Sequence, residues 1–417
     1  MCSTNNSSKE SAWLKDKKYR LADFFDAHWD NYKKSPAAQI QPEQYKAVNA
    51  IRVCRTEALG KDVYACPECG EITEVYHSCK NRFCPTCSWQ DTLVWADKVK
   101  DKMLNLPHRH AIFTLPHQLI PLIKKNRKEL LSVLMRTSAD TLKDWMWHKH
   151  GIKCGIISVL HTYGEKKENH MHTHMIVSWG GIKPSTGEMI GIKGDYVNFK
   201  FLKNKFRKKF EDALVELYDT GELEHEFANR IVFMRYLKRI NAKHWIIHLE
   251  PSITNPDRVI RYIGRYSKRA CLSEYKITCI EGEYISFRYK NYKRKDVNNK
   301  PIEEEITLHY RKFFPRLLQH VPLPYFRIVR YYGVYSNRAS IPTEYLYTGQ
   351  NSVEKQNIET WESLQIENRG ENPLICTHCE QRKVYQYTII RKKQEDKANI
   401  FERSVIKEFE RQKANAA

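Results

Sequence analysis

The chain of 417 residues is long enough for two or three compact units, and its Lys+Arg 70 against Asp+Glu 49 leave a formal net charge of +21, with a pI near 9.3. That excess favours a polyanionic partner, nucleic acid before membrane, because phosphate neutralisation supplies much of the affinity; 12% aromatics, including 24 Tyr, also suit base stacking. No run reaches the ~18–20 apolar residues of a bilayer span and MCSTNNSSKESAWLKDKK has no apolar leader, so an intracellular location is expected, where Cys 12 reads as metal ligands or free thiols before disulfides.

Residues 1–20 read as polar and loosely ordered. From 21 to about 60, Leu21, Phe24, Phe25 and Trp29, then Tyr45, Val48 and Ile51, recur at helical spacing. A cysteine-dense segment from Cys66 to Cys87 and a helix near 89–104, ending before Pro107, complete a helical and zinc-binding domain at 21–105. RHAIFTLP (109–116) reads as a buried strand, 118–150 as helices, and GIISVLHTY (155–163) as a strand able to pair with MHTHMIVSW (171–179). A turn-rich connection at 180–195 leads to basic helices at 200–218 and 225–240, a strand at 244–251, a helix, and hairpin-like alternation over 283–310. The stretch 106–345 is thus a second domain, and 346–417 a polar tail with one more cysteine pair. The fold class expected is α+β, an antiparallel sheet with flanking helices beside the N-terminal module.

Cys66-Pro-Glu-Cys69 and Cys84-Pro-Thr-Cys87 form C-x2-C-x14-C-x2-C, two knuckles that can complete one tetrahedral zinc site. Four thiolates close the coordination shell, so the site is structural and serves DNA contact. His77, Cys79 and Cys54 lie close by and leave open a ligand swap or a second zinc. Cys376-Thr-His-Cys379 is half a site, read as a solvent-exposed turn.

In ENHMHTHMIV (168–177), His170, His172 and His174 alternate onto one face of a strand, against Met171, Thr173 and Met175 on the other. Residues two apart on a strand sit roughly 6.5–7 Å apart at Cα, so their rings can converge on one ion. Further on, Thr254-Asn255-Pro256-Asp257 starts a helix that places Tyr262 and Tyr266 one turn apart among Arg261, Arg265, Lys268 and Arg269. Tyr266 falls near the centre of the stripe set by Val259, Ile263 and Ala270, where it doubles as core. A phenol of pKa ~10 needs a cation to become a nucleophile, and the basic residues suit a phosphate path.

HTYGEKKENHMHTHMIV resembles the histidine motif of HUH endonucleases, and RYIGRYSKRA the two-tyrosine motif of rolling-circle transposases. With YHSCKNRFCPTC, FRYKNY (287–292) and RIVRYYGVYSN (327–337), the chain resembles the insertion-sequence-91-like family over roughly residues 40–340. The resemblance implies tyrosine cleavage of single-stranded DNA at transposon ends and target, a covalent 5′-phosphotyrosine, and rejoining under Mg²⁺ or Mn²⁺. By position, His172 and His174 match the family's metal ligands, and Tyr262 and Tyr266 its nucleophiles. Glu165 is the candidate third ligand. Thr173 stands where a bulky hydrophobe is usual, Phe83 where histidine often follows NR, and Lys268 where histidine often follows the second tyrosine. No Walker-type phosphate loop occurs, so a helicase would come from a bacterial host, with the enzyme in the cytoplasm on the nucleoid. A rolling-circle replication initiator would share this chemistry. A non-catalytic zinc-dependent DNA-binding regulator would keep the basic surface but has no use for paired histidines and tyrosines.

Overall fold

Apolar residues at helical spacing fold close to where the sequence puts them. Helix α1 (Leu21–Lys33) buries Leu21, Phe24, Phe25 and Trp29, and α2 (Pro42–Arg52), entered through proline, buries Val48 and Ile51. The structure, a computed structural model, describes residues 19–254, 270–347 and 361–390, apart from 37 and 370. These form two units. One holds the cysteines from Cys54 to Cys87 and draws on residues up to 91, 270–324 and 361–390; the other, 92–254 and 325–347, holds His170, His172 and His174. Helix α3 (Pro85–Lys100) begins in the first and ends in the second.

In the cysteine-bearing unit, β1 (Gly60–Ala65) and β2 (Ile72–Tyr76) form a hairpin, and β9 (Ile277–Glu281), β10 (Tyr284–Lys295) and β11 (Pro301–His309) form an antiparallel meander. FRYKNY lies on β10. The aromatic face of α1 packs on the helix Tyr310–Leu318, where Phe25 stacks on Phe314 at 5.1 Å and Phe24 meets Phe313 edge-on at 5.7 Å. Such pairs add ~0.5–1.5 kcal/mol each beyond area burial.

The described part of the polar tail does not stand apart. VYQYTII forms β13 (Val384–Ile390), which runs antiparallel along the free edge of β1, from Val384 opposite Ala65 to Ile390 opposite Gly60. An edge left open by β2 offers unpaired amides and carbonyls, and β13 satisfies them. Sequence boundaries at 105 and 345 therefore separate segments that the structure joins, and 270–324 groups with the zinc-binding residues as well.

In the histidine-bearing unit, β3 (His108–Thr114), β4 (Gly155–Tyr163), β5 (Asn169–Ser178), β8 (Ile246–Leu249) and β12 (Val329–Gly333) make an antiparallel sheet of order β12-β4-β5-β3-β8. A short hairpin of β6 (Gly180–Ile182) and β7 (Met189–Gly191) follows β5. One sheet face lies under helices: Phe113 of β3 meets Phe206 of α6 (Phe199–Asp219) edge-on at 5.0 Å. Trp145 of α5 (Arg127–His150) stacks at 5.4 Å on Trp179, just past β5. Helix α4 (Ile120–Lys125) precedes α5, and α7 (Arg230–Asn241) starts later than its apolar pattern suggests. Asn229 caps it there, its side chain accepting the Val232 N–H at 3.0 Å. The fold is α+β with antiparallel sheets, as expected. No helix among the described residues is long and apolar enough to cross a membrane.

Candidate metal centres

Strand β5 lies between β4 and β3, so its backbone is paired on both sides and its side chains are buried from Met171 to Ser178. The face bearing His172, His174 and Ile176 changes character along its length. At one end Ile176, with Ile157 of β4, packs with Trp95 and Val99 of α3 and with Met103, just past that helix. At the other end the face carries histidines. Antiparallel register puts His161 directly opposite His172, and Val159 opposite His174. Directly opposed residues have Cβ atoms about 4.5–5.5 Å apart, which brings a third ring to the pair. The ligand atoms of His161, His172 and His174 all lie within 4.8 Å of one another, and Nε2 of His172 is 3.1 Å from Nε2 of His174. That is the spacing of adjacent ligands on one small cation.

Hydrogen bonds orient both β5 rings. His172 Nδ1 lies 2.8 Å from the His170 carbonyl, to which its N–H donates, leaving the Nε2 lone pair for the cluster. His174 Nδ1 lies 2.8 Å from Nε2 of His110 on β3. His110 Nδ1 in turn lies 3.2 Å from a Glu250 oxygen, close enough for an ion pair though not aligned as a hydrogen bond. With Nε2 of His174 unprotonated, its Nδ1–H donates to His110, whose own Nδ1–H faces the carboxylate. Burial, then the neighbouring His161, pushes His172 and His174 well below the ordinary imidazole range, so both are neutral at pH 7. Three imidazoles gathered in a buried pocket fit a divalent cation and leave coordination positions open.

Among the described residues, the structure thus brings together His172 and His174 of the expected set, but not His170 or Glu165. His170 is exposed at the start of β5 and contributes its carbonyl. Glu165 sits on the turn after β4, outside the cluster, and the third position goes to His161. His161, His110 and Glu250 carry no pattern of their own in sequence; strand register reveals the first, and the pairing of β3 with β5 on one side and β8 on the other reveals the others. Tyr262, Tyr266, Arg261, Arg265, Lys268 and Arg269 lie outside the described residues, between β8 and β9 in the chain.

The cysteines are also redistributed. Cys66, Cys69, Cys84 and Cys87 do not converge; Cys84 and Cys87 gather with Cys54 and Cys79, while Cys66 and Cys69 gather with Cys376 and Cys379. Cys84 and Cys87 flank the start of α3, and Cys54 follows α2, whereas Cys66 and Cys69 sit at the tip of the β1–β2 hairpin. In the first group Sγ of Cys54 lies 3.5 Å from Cys87 and 3.7 Å from Cys84, and Cys79 lies 3.6 Å from Cys87. Tetrahedral thiolates on zinc at ~2.3 Å stand about 3.8 Å apart, so these four fit the ion. His77 is not a ligand: its Nε2 lies 3.2 Å from Asp62 and its Nδ1 3.2 Å from the Leu59 carbonyl. Phe83 is buried.

Comparison with known proteins finds one family match over most of the clustered cysteines and another over the three histidines. Residues 24–115 match the family described as transposase zinc-binding domain, and residues 155–341 the family described as putative transposase. The chain is 30% identical over 326 residues to putative transposase y4qJ of Sinorhizobium fredii, covering 76% of this chain and 80% of that one. It is 28% identical over 308 residues to the transposase for insertion sequence element IS801 of Pseudomonas savastanoi pv. phaseolicola, covering 71% of each. No solved structure gives a significant match. The matched zinc-binding domain and the cysteine clusters support structural zinc.

Proposed function

We propose, from the fact that this chain belongs to the insertion-sequence-91-like transposases with an N-terminal zinc-binding domain, that it cuts and rejoins single-stranded DNA through tyrosine nucleophiles. The observation that carries this reading is the convergence of His161, His172 and His174 on one buried point of the sheet. An all-nitrogen donor set suits a transition ion such as Mn²⁺ better than Mg²⁺, whose ligands are usually oxygens. When bound, the cation polarises the scissile phosphate and offsets charge on its oxygens. The chain's own residues do the rest. His110, backed by Glu250, holds the His174 ring in the tautomer that leaves Nε2 free, which makes both positioning residues. The net charge of +21 supplies backbone affinity, and Arg261, Arg265, Lys268 and Arg269 lie in sequence beside the nucleophiles.

In the proposed step the Tyr262 hydroxyl oxygen attacks phosphorus and the bond to the 3′ oxygen breaks. The phenol gives up its proton to solvent, the 3′ oxygen takes one up as a hydroxyl, and the 5′ phosphate stays on tyrosine. Tyr266, one helical turn away in the expected helix, makes the second cut while the first tyrosine carries DNA. Strand separation would come from a host helicase. A replication initiator would use the same step, but the N-terminal zinc-binding match favours transposition.

The test is incubation of purified protein with a labelled single-stranded oligonucleotide library and Mn²⁺, followed by peptide mapping of the covalent adduct. The adduct should sit on Tyr262 or Tyr266 and disappear in a Tyr262→Phe/Tyr266→Phe variant. In single variants, Tyr262→Phe should suppress the first adduct, whereas Tyr266→Phe should allow first cleavage but block transposition. An adduct on another residue, or undiminished in the double variant, overturns the assignment.

A further inference from the structure

Two turns more than three hundred residues apart in the chain have the same construction. At Cys66-Pro-Glu-Cys69 the Cys66 amide donates to the Glu71 carbonyl at 2.8 Å, and the Gly70 amide to the Cys66 carbonyl at 3.0 Å. At Cys376-Thr-His-Cys379 the Cys376 amide donates to the Gln381 carbonyl at 2.9 Å, and the Glu380 amide to the Cys376 carbonyl at 3.0 Å. The residue after the second cysteine is left-handed in both, Gly70 at φ 73 and Glu380 at φ 59. In Gly70 that conformation is free, but a glutamate adopts it only under constraint, so the second turn is built rather than incidental. Each turn presents two sulfurs, and the two turns face each other. Sγ of Cys66 lies 3.4 Å from Cys379, Cys69 3.4 Å from Cys376, and Cys379 3.8 Å from Cys69.

The geometry points to a second zinc held by Cys66, Cys69, Cys376 and Cys379, which fastens residues 371–390 onto the zinc-binding module. The sulfur spacings match those of four tetrahedral thiolates, about 3.8 Å, nearly as well as in the first cluster. Neighbouring contacts serve the same junction. Glu71 accepts from the Thr377 hydroxyl at 3.0 Å and from its amide at 3.3 Å, and pairs with the almost fully buried Lys383 at 3.2 Å. The Cys376 thiol donates to Glu71 at 2.7 Å; on ligation that proton leaves, and Glu71 keeps its Thr377 and Lys383 partners. Strand β13 begins five residues beyond Cys379 and zips along β1, so ion and sheet hold one segment together. The zinc-binding domain match, which ends at residue 115, covers only half of this donor set. The inference is independent of the strand-cleavage reading, since it concerns donors in the other unit.

Zinc content and thiol protection in the full chain, purified under reducing conditions, test it. Metal analysis should give at least two zinc ions per chain in the wild type and one fewer in Cys376→Ser/Cys379→Ser, with the ion of the Cys54 cluster retained. Should that variant fail to fold, alkylation of the wild type gives the answer without a substitution. Cys69, which is exposed, and Cys379 should resist iodoacetamide until a chelator is added, then react together. One zinc per wild-type chain, free alkylation of Cys69 and Cys379 in the zinc-loaded protein, or a disulfide joining the two turns overturns the proposal.

Discussion

The histidine face and the cysteine clusters are both convergent donor sets, yet they are built for opposite ends. Each cysteine group supplies four thiolates, which fill a tetrahedral shell and leave nothing for a substrate. The histidine group supplies three imidazoles, on two paired strands of a continuous sheet, and keeps positions open. The thiolates join segments distant in the chain, whereas the histidines hang on a sheet already held by ladder hydrogen bonds and by helices behind it. Metal should therefore make the fold in one unit and the chemistry in the other.

The comparison yields graded expectations. Cys84→Ser should have the largest effect: zinc ligation contributes ~10–16 kcal/mol in small zinc-finger peptides, comparable with the ~5–15 kcal/mol stability of a whole domain. Loss of cooperative unfolding in the cysteine-bearing unit, read by calorimetry or hydrogen exchange, checks it; an unchanged melting profile would break the contrast. His172→Ala/His174→Ala should leave that profile alone and lower oligonucleotide cleavage by at least ~10³-fold, roughly 4 kcal/mol of barrier. Single-strand affinity, resting on Lys and Arg, should stay within about twofold. His110→Ala and Glu250→Gln should each weaken Mn²⁺ binding by ~10–100-fold, as loss of a ligand's supporting partner commonly does. Excess Mn²⁺ should restore cleavage in both, which simple misfolding would not allow. Glu165→Gln should change neither metal affinity nor cleavage appreciably, because the third position belongs to His161.

Much of this was legible in the residues, and the failures share a cause. The alternation His172-Thr173-His174 marks a strand face, and the structure keeps both rings on it. The third ligand required pairing GIISVLHTY with MHTHMIVSW in register, which sets His161 against His172; a nearby carboxylate, Glu165, offered itself only by proximity along the chain. The same bias joined Cys66 and Cys69 to Cys84 and Cys87. Each knuckle was correctly seen as a unit, but which knuckles meet is decided by strand pairing across hundreds of residues. VYQYTII, read only as part of a polar tail, forms β13, and nothing in the sequence marks β1 as its partner. Helix positions set by local apolar spacing are closest, as at Phe199–Asp219, whereas the Asn229 cap moves the start of α7 past the expected 225.

The most direct test of the open histidine site is a Mn²⁺ titration followed by electron paramagnetic resonance on zinc-loaded protein. The wild type should show one Mn²⁺ site. It should vanish in His161→Ala/His172→Ala/His174→Ala and persist in Cys376→Ser/Cys379→Ser. A Mn²⁺ site of unchanged affinity in the triple-histidine variant would contradict the account.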